Sequence, residues 1–162
     1  MIIPVPGVGV PMENRQMSEN EQLSMQLASG IAAFEGKNFA VAVQSLSPLA
    51  DQGNPEAQYR VAIMAQNGLG MTVNELLAFK YMKAAAESGM APAQHGLGFM
   101  YREGECVAQN SSKAAEWFRK SAEQGMAGSQ TTLAMMYEQG DGVEKDAEEA
   151  RRWYHLAGFG EV

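Results

Sequence analysis

Gly68, Gly104 and Gly140 stand 36 residues apart, and Gly53, Gly89 and Gly125 keep the same interval. Ala78, Ala114 and Ala150 repeat it, as do the rings of Tyr81, Trp117 and Trp153. A period of this length, held jointly by turn formers, small residues and aromatics, constrains the chain to a stack of supersecondary units. Each unit is too small to bury its own apolar face and is completed by its neighbours. Residues 93–125, AQHGLGFMYREGECVAQNSSKAAEWFRKSAEQG, are the best-kept copy. Function in such a chain is sought on a surface and not in a single catalytic motif.

Composition agrees with closely packed helices, because Ala, Gly and Met are abundant and rings are few across the 162 residues. The 12 basic and 19 acidic side chains give a net charge of −7, which repels phosphate backbones and leaves no counterion-release contribution to binding. Nucleic acid is therefore not an expected partner. The single cysteine, Cys106, allows no intrachain disulfide, so packing alone must hold the fold. The opening residues MIIPVPGVGVPM are apolar but lack a preceding basic residue and contain Pro4, Pro6 and Pro11, which makes a poor export signal. With no long apolar run, no membrane span is expected, and a cytoplasmic location follows as the expectation.

In chain order, residues 1–16 read as an extended proline-containing arm, since each proline fixes its own backbone and restricts the residue before it. From Glu19 the pattern turns helical, with Leu23, Leu27, Ile31 and Phe34 along one face. A second helix is predicted over Phe39–Ala50, ended by Gly53 in a left-handed conformation. Asn54-Pro55-Glu56 then opens a helix in the favoured order of N-cap, first-position proline and acidic first turn. It runs to Gln66 with Ala57, Val61, Ala62 and Ala65 inward. After a glycine-bearing loop, a helix over Glu75–Ser88 buries Ala78, Tyr81, Met82 and Ala85. The plan recurs twice, with Asn74, Asn110 and Asp146 as N-caps of the second helices and Asp146 with Glu149 as a capping box. Ala62, Gly98 and Ala134 are small so that paired helices approach until a ring such as Trp117 fills the gap.

These residues resemble three tandem Sel-one-like repeats, 36-residue relatives of the tetratricopeptide repeat. The resemblance is carried in the middle unit by Ala93, Leu97, Gly98, Tyr101, Gly104, Val107, Ala114, Trp117, Phe118, Ala122 and Gly125, and in the last by Leu133, Tyr137, Gly140, Gly142, Val143, Asp146, Ala150, Trp153, Tyr154 and Ala157. The first unit departs at Ala65 and Met71, and Cys106 replaces the second loop glycine of the middle unit, so a different turn is expected there. Residues 17–53 resemble a plain tetratricopeptide helix pair, followed by repeats at 54–89, 90–125 and 126–162. The resemblance implies an all-α, right-handed α/α superhelix of antiparallel helix pairs, one solenoid domain that binds a peptide or protein on its concave face as an adaptor or scaffold.

In such a superhelix the first helix of each pair lines the groove. Offset from the packing stripe, the candidates are Tyr59, Ile63 and Gln66 in the first repeat and His95, Phe99 and Arg102 in the second. Thr131, Met135 and Glu138 are their counterparts in the third. Leu27, Ile31 and Phe34 extend the rows. The central row Ile63, Phe99, Met135 is apolar where solvent is expected, which reads either as a peptide groove or as inter-unit packing. Met64, Met100 and Met136 recur in register and read as packed positions.

Other chemistries find no residues. His95 and His155 lie in different units without a second ligand at metal spacing, and Cys106 is flanked by Glu103 and Glu105, which disfavour a thiolate. The glycines at 68–70 and 140–142 lack the lysine of a phosphate loop. Glu148 and Glu149 point apart on a helix and make no acid/base pair. No catalytic residue, metal or cofactor is expected. The last helix is expected to leave Trp153, Tyr154 and Leu156 partly uncovered, for a partner or a second copy. A non-enzymatic protein-interaction module is the leading reading. A secreted or effector-type repeat protein acting on envelope or host components is an alternative, and so is a cryptic enzyme or small-molecule binder using the groove as a cleft.

Overall fold

The computed structural model describes residues 16–160, and the expected arm falls, but for Gln16, outside them. Among the described residues eight helices follow one another: α1 Glu19–Glu35, α2 Phe39–Asp51, α3 Pro55–Asn67, α4 Glu75–Glu87, α5 Ala91–Glu103, α6 Ser111–Glu123, α7 Ala127–Gln139 and α8 Ala147–Leu156. No strand occurs among the described residues. Each helix packs on the next in sequence, so the molecule is an all-α solenoid of four helix pairs.

The ends of the helices are written into the sequence. Side chains of Ser18, Asn38, Asn54, Asn74, Asn110 and Asp146 accept backbone N–H bonds at the starts of α1, α2, α3, α4, α6 and α8. Helices α5 and α7 start at Met90 and Met126 with no side-chain cap. Gly68, Gly104 and Gly140 close α3, α5 and α7 at φ 67, 71 and 68°, each returning its N–H to the carbonyl of Met64, Met100 or Met136. The loop is then pinned by the N-cap N–H of the second helix: Asn74 donates to Ala65, Asn110 to Tyr101 and Asp146 to Tyr137, at 2.8–3.0 Å.

Four details differ from expectation. The gap at Gly98 is filled by Phe118, whose ring lies 3.0 Å from where a Cβ would be, while Trp117, one position away, is only half-buried. The capping box at α8 is half-formed. Asp146 accepts from the Glu148 and Glu149 N–H groups, but its own N–H goes to Tyr137 and the Glu149 carboxylate is taken by Arg152 at 2.9 Å. Cys106 does not change its loop; it adopts φ +64°, the same left-handed conformation as Gly70 and Gly142 at the equivalent positions. Finally, α8 has 10 residues where α4 and α6 have 13. Gly158, at φ 94°, ends it a turn early, and Phe159 folds back with its ring edge-on to Tyr154 at 6.1 Å.

The core runs continuously through the stack, built from Ala62, Met64, Leu97, Met100, Leu133 and Met136 on first helices and Ala78, Ala114, Phe118 and Trp153 on second helices. The recurring methionines are wholly buried, which is the packed role their register implied.

Candidate functional site

On α3 the buried residues Ala57, Gln58, Val61, Ala62, Met64 and Ala65 share one side. At about 100° per residue, Ile63 falls at the middle of the remaining strip. The same arithmetic puts Phe99 and Met135 at the middle of the outward strips of α5 and α7, so the three form one row across successive first helices. Phe99 is 44% exposed, and Ile63 and Met135 are half-buried, with Ile63 packed against the core. The row is thus shared between packing and solvent.

The flanking rows are tied into the stack. His95 Nδ1 lies 2.7 Å from the buried Ser129 Oγ, and its ring sits edge-on to Phe118 at 5.3 Å. Burial pushes the imidazole pKa below its usual value, and pushes the Tyr59 phenol above its own. Thr131 turns its hydroxyl onto the Ala127 carbonyl of its own helix. At the loop end of the strip the Gln66 amide donates to Glu105 at 2.8 Å and the Arg102 guanidinium to Asp141 at 3.2 Å. These are one contact in two copies, from the end of a first helix to the loop of the next unit. Glu138, the third member, accepts instead from the Tyr154 hydroxyl at 2.5 Å, a hydrogen bond that, with burial, pushes that phenol to about 12. Arg102 and Glu138 are therefore already engaged by neighbouring groups, whereas Phe99 is open.

At the far end, Trp153 is buried inside its own pair, its indole N–H without an acceptor among the described residues, while Tyr154 is half-buried and Leu156 is 52% exposed. Sequence reading missed Phe159, 60% exposed beside them. It also missed the buried glutamines Gln58, Gln94 and Gln130, although their 36-residue spacing signals a shared role. Each crosses from a first helix to the C-terminal turn of the preceding second helix, donating to the carbonyl of Ala50, Ala86 or Ala122 at 3.1–3.2 Å. They are structural joints and not a ligand site. An exposed apolar edge at Val73 and Leu76 was missed as well; Ser112 and Glu148 stand where Leu76 does in later units.

Among the described residues no three His, Cys, Asp or Glu side chains are grouped to hold a metal, and no helix is long and apolar enough to cross a membrane. Burial, reinforced by Glu75 and Glu105, raises the Cys106 thiol pKa, which suppresses its nucleophilic form.

The Sel1 repeat family model matches residues 55–90, 91–126 and 127–158. A Sel1 repeat protein from Oxalobacter formigenes is similar in structure, with TM-score 0.78 and 32% identity, covering 82% of this chain and 53% of that one. Another similar structure is c5321, a protective antigen of uropathogenic Escherichia coli with an SLR fold, at TM-score 0.77 and 33% identity over 87% of this chain and 33% of that one. The chain thus spans about half the length of the first and a third of the second. Helicobacter pylori cysteine rich protein B shares the fold at TM-score 0.56 and 16% identity, covering 86% of this chain and 89% of that one. No curated protein matches the sequence. Three matched repeats, joined in one stack by the same glutamine-to-carbonyl contact at each junction, make this chain a member of the Sel1 repeat family.

Proposed function

We propose that this protein is a non-enzymatic adaptor whose first-helix face receives an apolar segment of a protein partner. Sel1 repeat proteins are in general protein-interaction scaffolds and the family is generally non-catalytic, which supports the class of function. The observation that carries the reading is Phe99: a large ring, 44% exposed, at the centre of an outward strip whose flanking polar groups are satisfied within the protein. Ile63 and Met135 continue it on either side, giving apolar footholds on three successive first helices. Engaged polar neighbours lose less than unpaired ones would when a partner excludes water, while an exposed ring gains by burial at roughly 25 cal/mol per Å².

The test is F99S/M135S, with co-purification from the native host as readout. The reading requires partner capture to fall at least tenfold while Tm moves by less than about 3 °C, since neither residue is fully buried. Capture retained, or Tm lowered by much more, would assign the row to packing.

A further inference from the structure

Charge is spread unevenly over this chain of net charge −7. In the middle turns of three second helices, residues 78–84, 114–120 and 150–156, the cations Lys80, Lys83, Arg119, Lys120, Arg151 and Arg152 stand with a single carboxylate, Glu116. The corresponding turns of α3, α5 and α7, residues 58–64, 94–100 and 130–136, hold one cation, Arg60. On α4 and α6 the other carboxylates collect at the helix ends, at Glu75, Glu87 and Glu123. First-helix cations are neutralised, Arg60 by Glu56 at 2.6 Å and Arg102 by Asp141 at 3.2 Å. Second-helix cations rest on rings instead. Lys80 lies 5.3 Å from the ring centre of Tyr81 and Lys120 lies 5.2 Å from that of Trp117, contacts that steady an ammonium without cancelling its charge. Lys83 has Glu87 at 3.8 Å, and Arg152 has a closer carboxylate, Glu149 at 2.9 Å. On α4 the basic band runs into an apolar knob. Leu76, Lys80 and Lys83 stand at i, i+4 and i+7 and share one outward strip, where Leu76 is 84% exposed and Val73, just before the helix, is 52% exposed. Both lysines are exposed, as is Lys120 on α6.

We propose that the outward face of α4 and α6 docks an acidic segment of a protein partner. An apolar side chain of that segment covers Val73 and Leu76, and its carboxylates meet Lys80, Lys83 and Lys120. Charge complementarity selects the occupant. Cations held by rings keep their field, and the acidic remainder of the chain is screened beyond about 8 Å at physiological ionic strength. A short acidic segment therefore responds to the local cations, whereas a long polyanion also meets the net negative charge of the whole molecule. A phosphate backbone has no apolar group to cover Leu76; an acidic peptide bearing leucine supplies both chemistries. Docking here uses second helices and does not depend on the row of Phe99 receiving a partner.

The experiment is amide NMR of the full chain at low ionic strength, titrated with a short synthetic peptide of glutamate and leucine. Expected are saturable shifts at amides of α4 and α6, with affinity at least about tenfold weaker for K80E/K83E/K120E and for the same peptide carrying glutamine at every glutamate. Leu76→Ser should weaken binding at least about threefold, while F99S/M135S should leave it within about twofold. Each variant's own spectrum reports its fold, and the glutamine peptide tests the charge requirement on the native protein. Four results would each overturn the proposal: no saturable shift, shifts confined to first helices, affinity kept by the glutamine peptide, the triple variant or Leu76→Ser, or a single-stranded oligonucleotide binding as tightly as the acidic peptide.

Discussion

Position 106 shows how a single residue resists its role in the repeat. The left-handed conformation costs a non-glycine residue about 1 kcal/mol or more, and Cys106 adopts it at φ +64° because the loop around it is pinned at Gly104 and Asn110. Cys106→Gly is expected to raise Tm by a few degrees, measured by calorimetry. The reverse change at its counterpart is worse, since a Cβ on Gly142 would stand 2.2 Å from the Ser111 carbonyl oxygen. Gly142→Ala should lower stability by about 2 kcal/mol or more in a denaturant titration. His95 supplies a pH dependence with a definite sign. Burial lowers its folded-state pKa, so the unfolded chain binds the proton more readily; stability is full above the ordinary histidine pKa of about 6.5 and declines as pH falls below it. Histidine-to-asparagine substitution at position 95 should flatten that decline, as followed by Tm between about pH 7 and pH 5.

At the scale of the element, the junction glutamines do what a cap does, from another helix. The last turn of a second helix presents carbonyls without intrahelical partners, and Gln94 supplies a donor to Ala86 from a site that is 6% exposed. Gln94→Ala removes that donor, leaves the carbonyl with its backbone partner, the Gly89 N–H, and should cost about 0.5–1.5 kcal/mol in a denaturant titration. What was legible here follows from the physics of each signal. Helix starts and stops were readable because Asn, Asp, Pro and Gly act locally, and the buried stripes were readable because they recur at both 3.6 and 36 residues. The glutamines went unread because a polar residue on a helix announces solvent unless its register is compared between units. The ring that fills the gap at Gly98 was misassigned by one position, since Trp117 and Phe118 differ by about 100° around α6 and only packing chooses between them. For the candidate groove, register supplied the row of Ile63, Phe99 and Met135, but the partners of Arg102 and Glu138 lie 39 and 16 residues away, beyond any local pattern.

At the scale of the whole molecule, every helix leans mainly on its sequence neighbours, so stability should distribute along the stack and not through one global core. Leu133→Ala, at a fully buried site on α7, should cost about 2–5 kcal/mol locally. Native-state hydrogen exchange should show α7 and α8 losing protection first, while amides of α2 and α3 keep most of theirs; uniform loss would mean a single cooperative unit.

The three identical joints also bear on copy number. Because α5 and α7 both begin after a methionine and both send a glutamine, four residues on, to the helix behind, excising residues 91–126 would set Gln130 opposite Ala86 in place of Ala122. The joint so made has the same chemistry as the two removed. A gene for such a chain can therefore lengthen or shorten by whole units without inventing a new contact, and the length of its first-helix face becomes a quantity that unequal recombination can adjust.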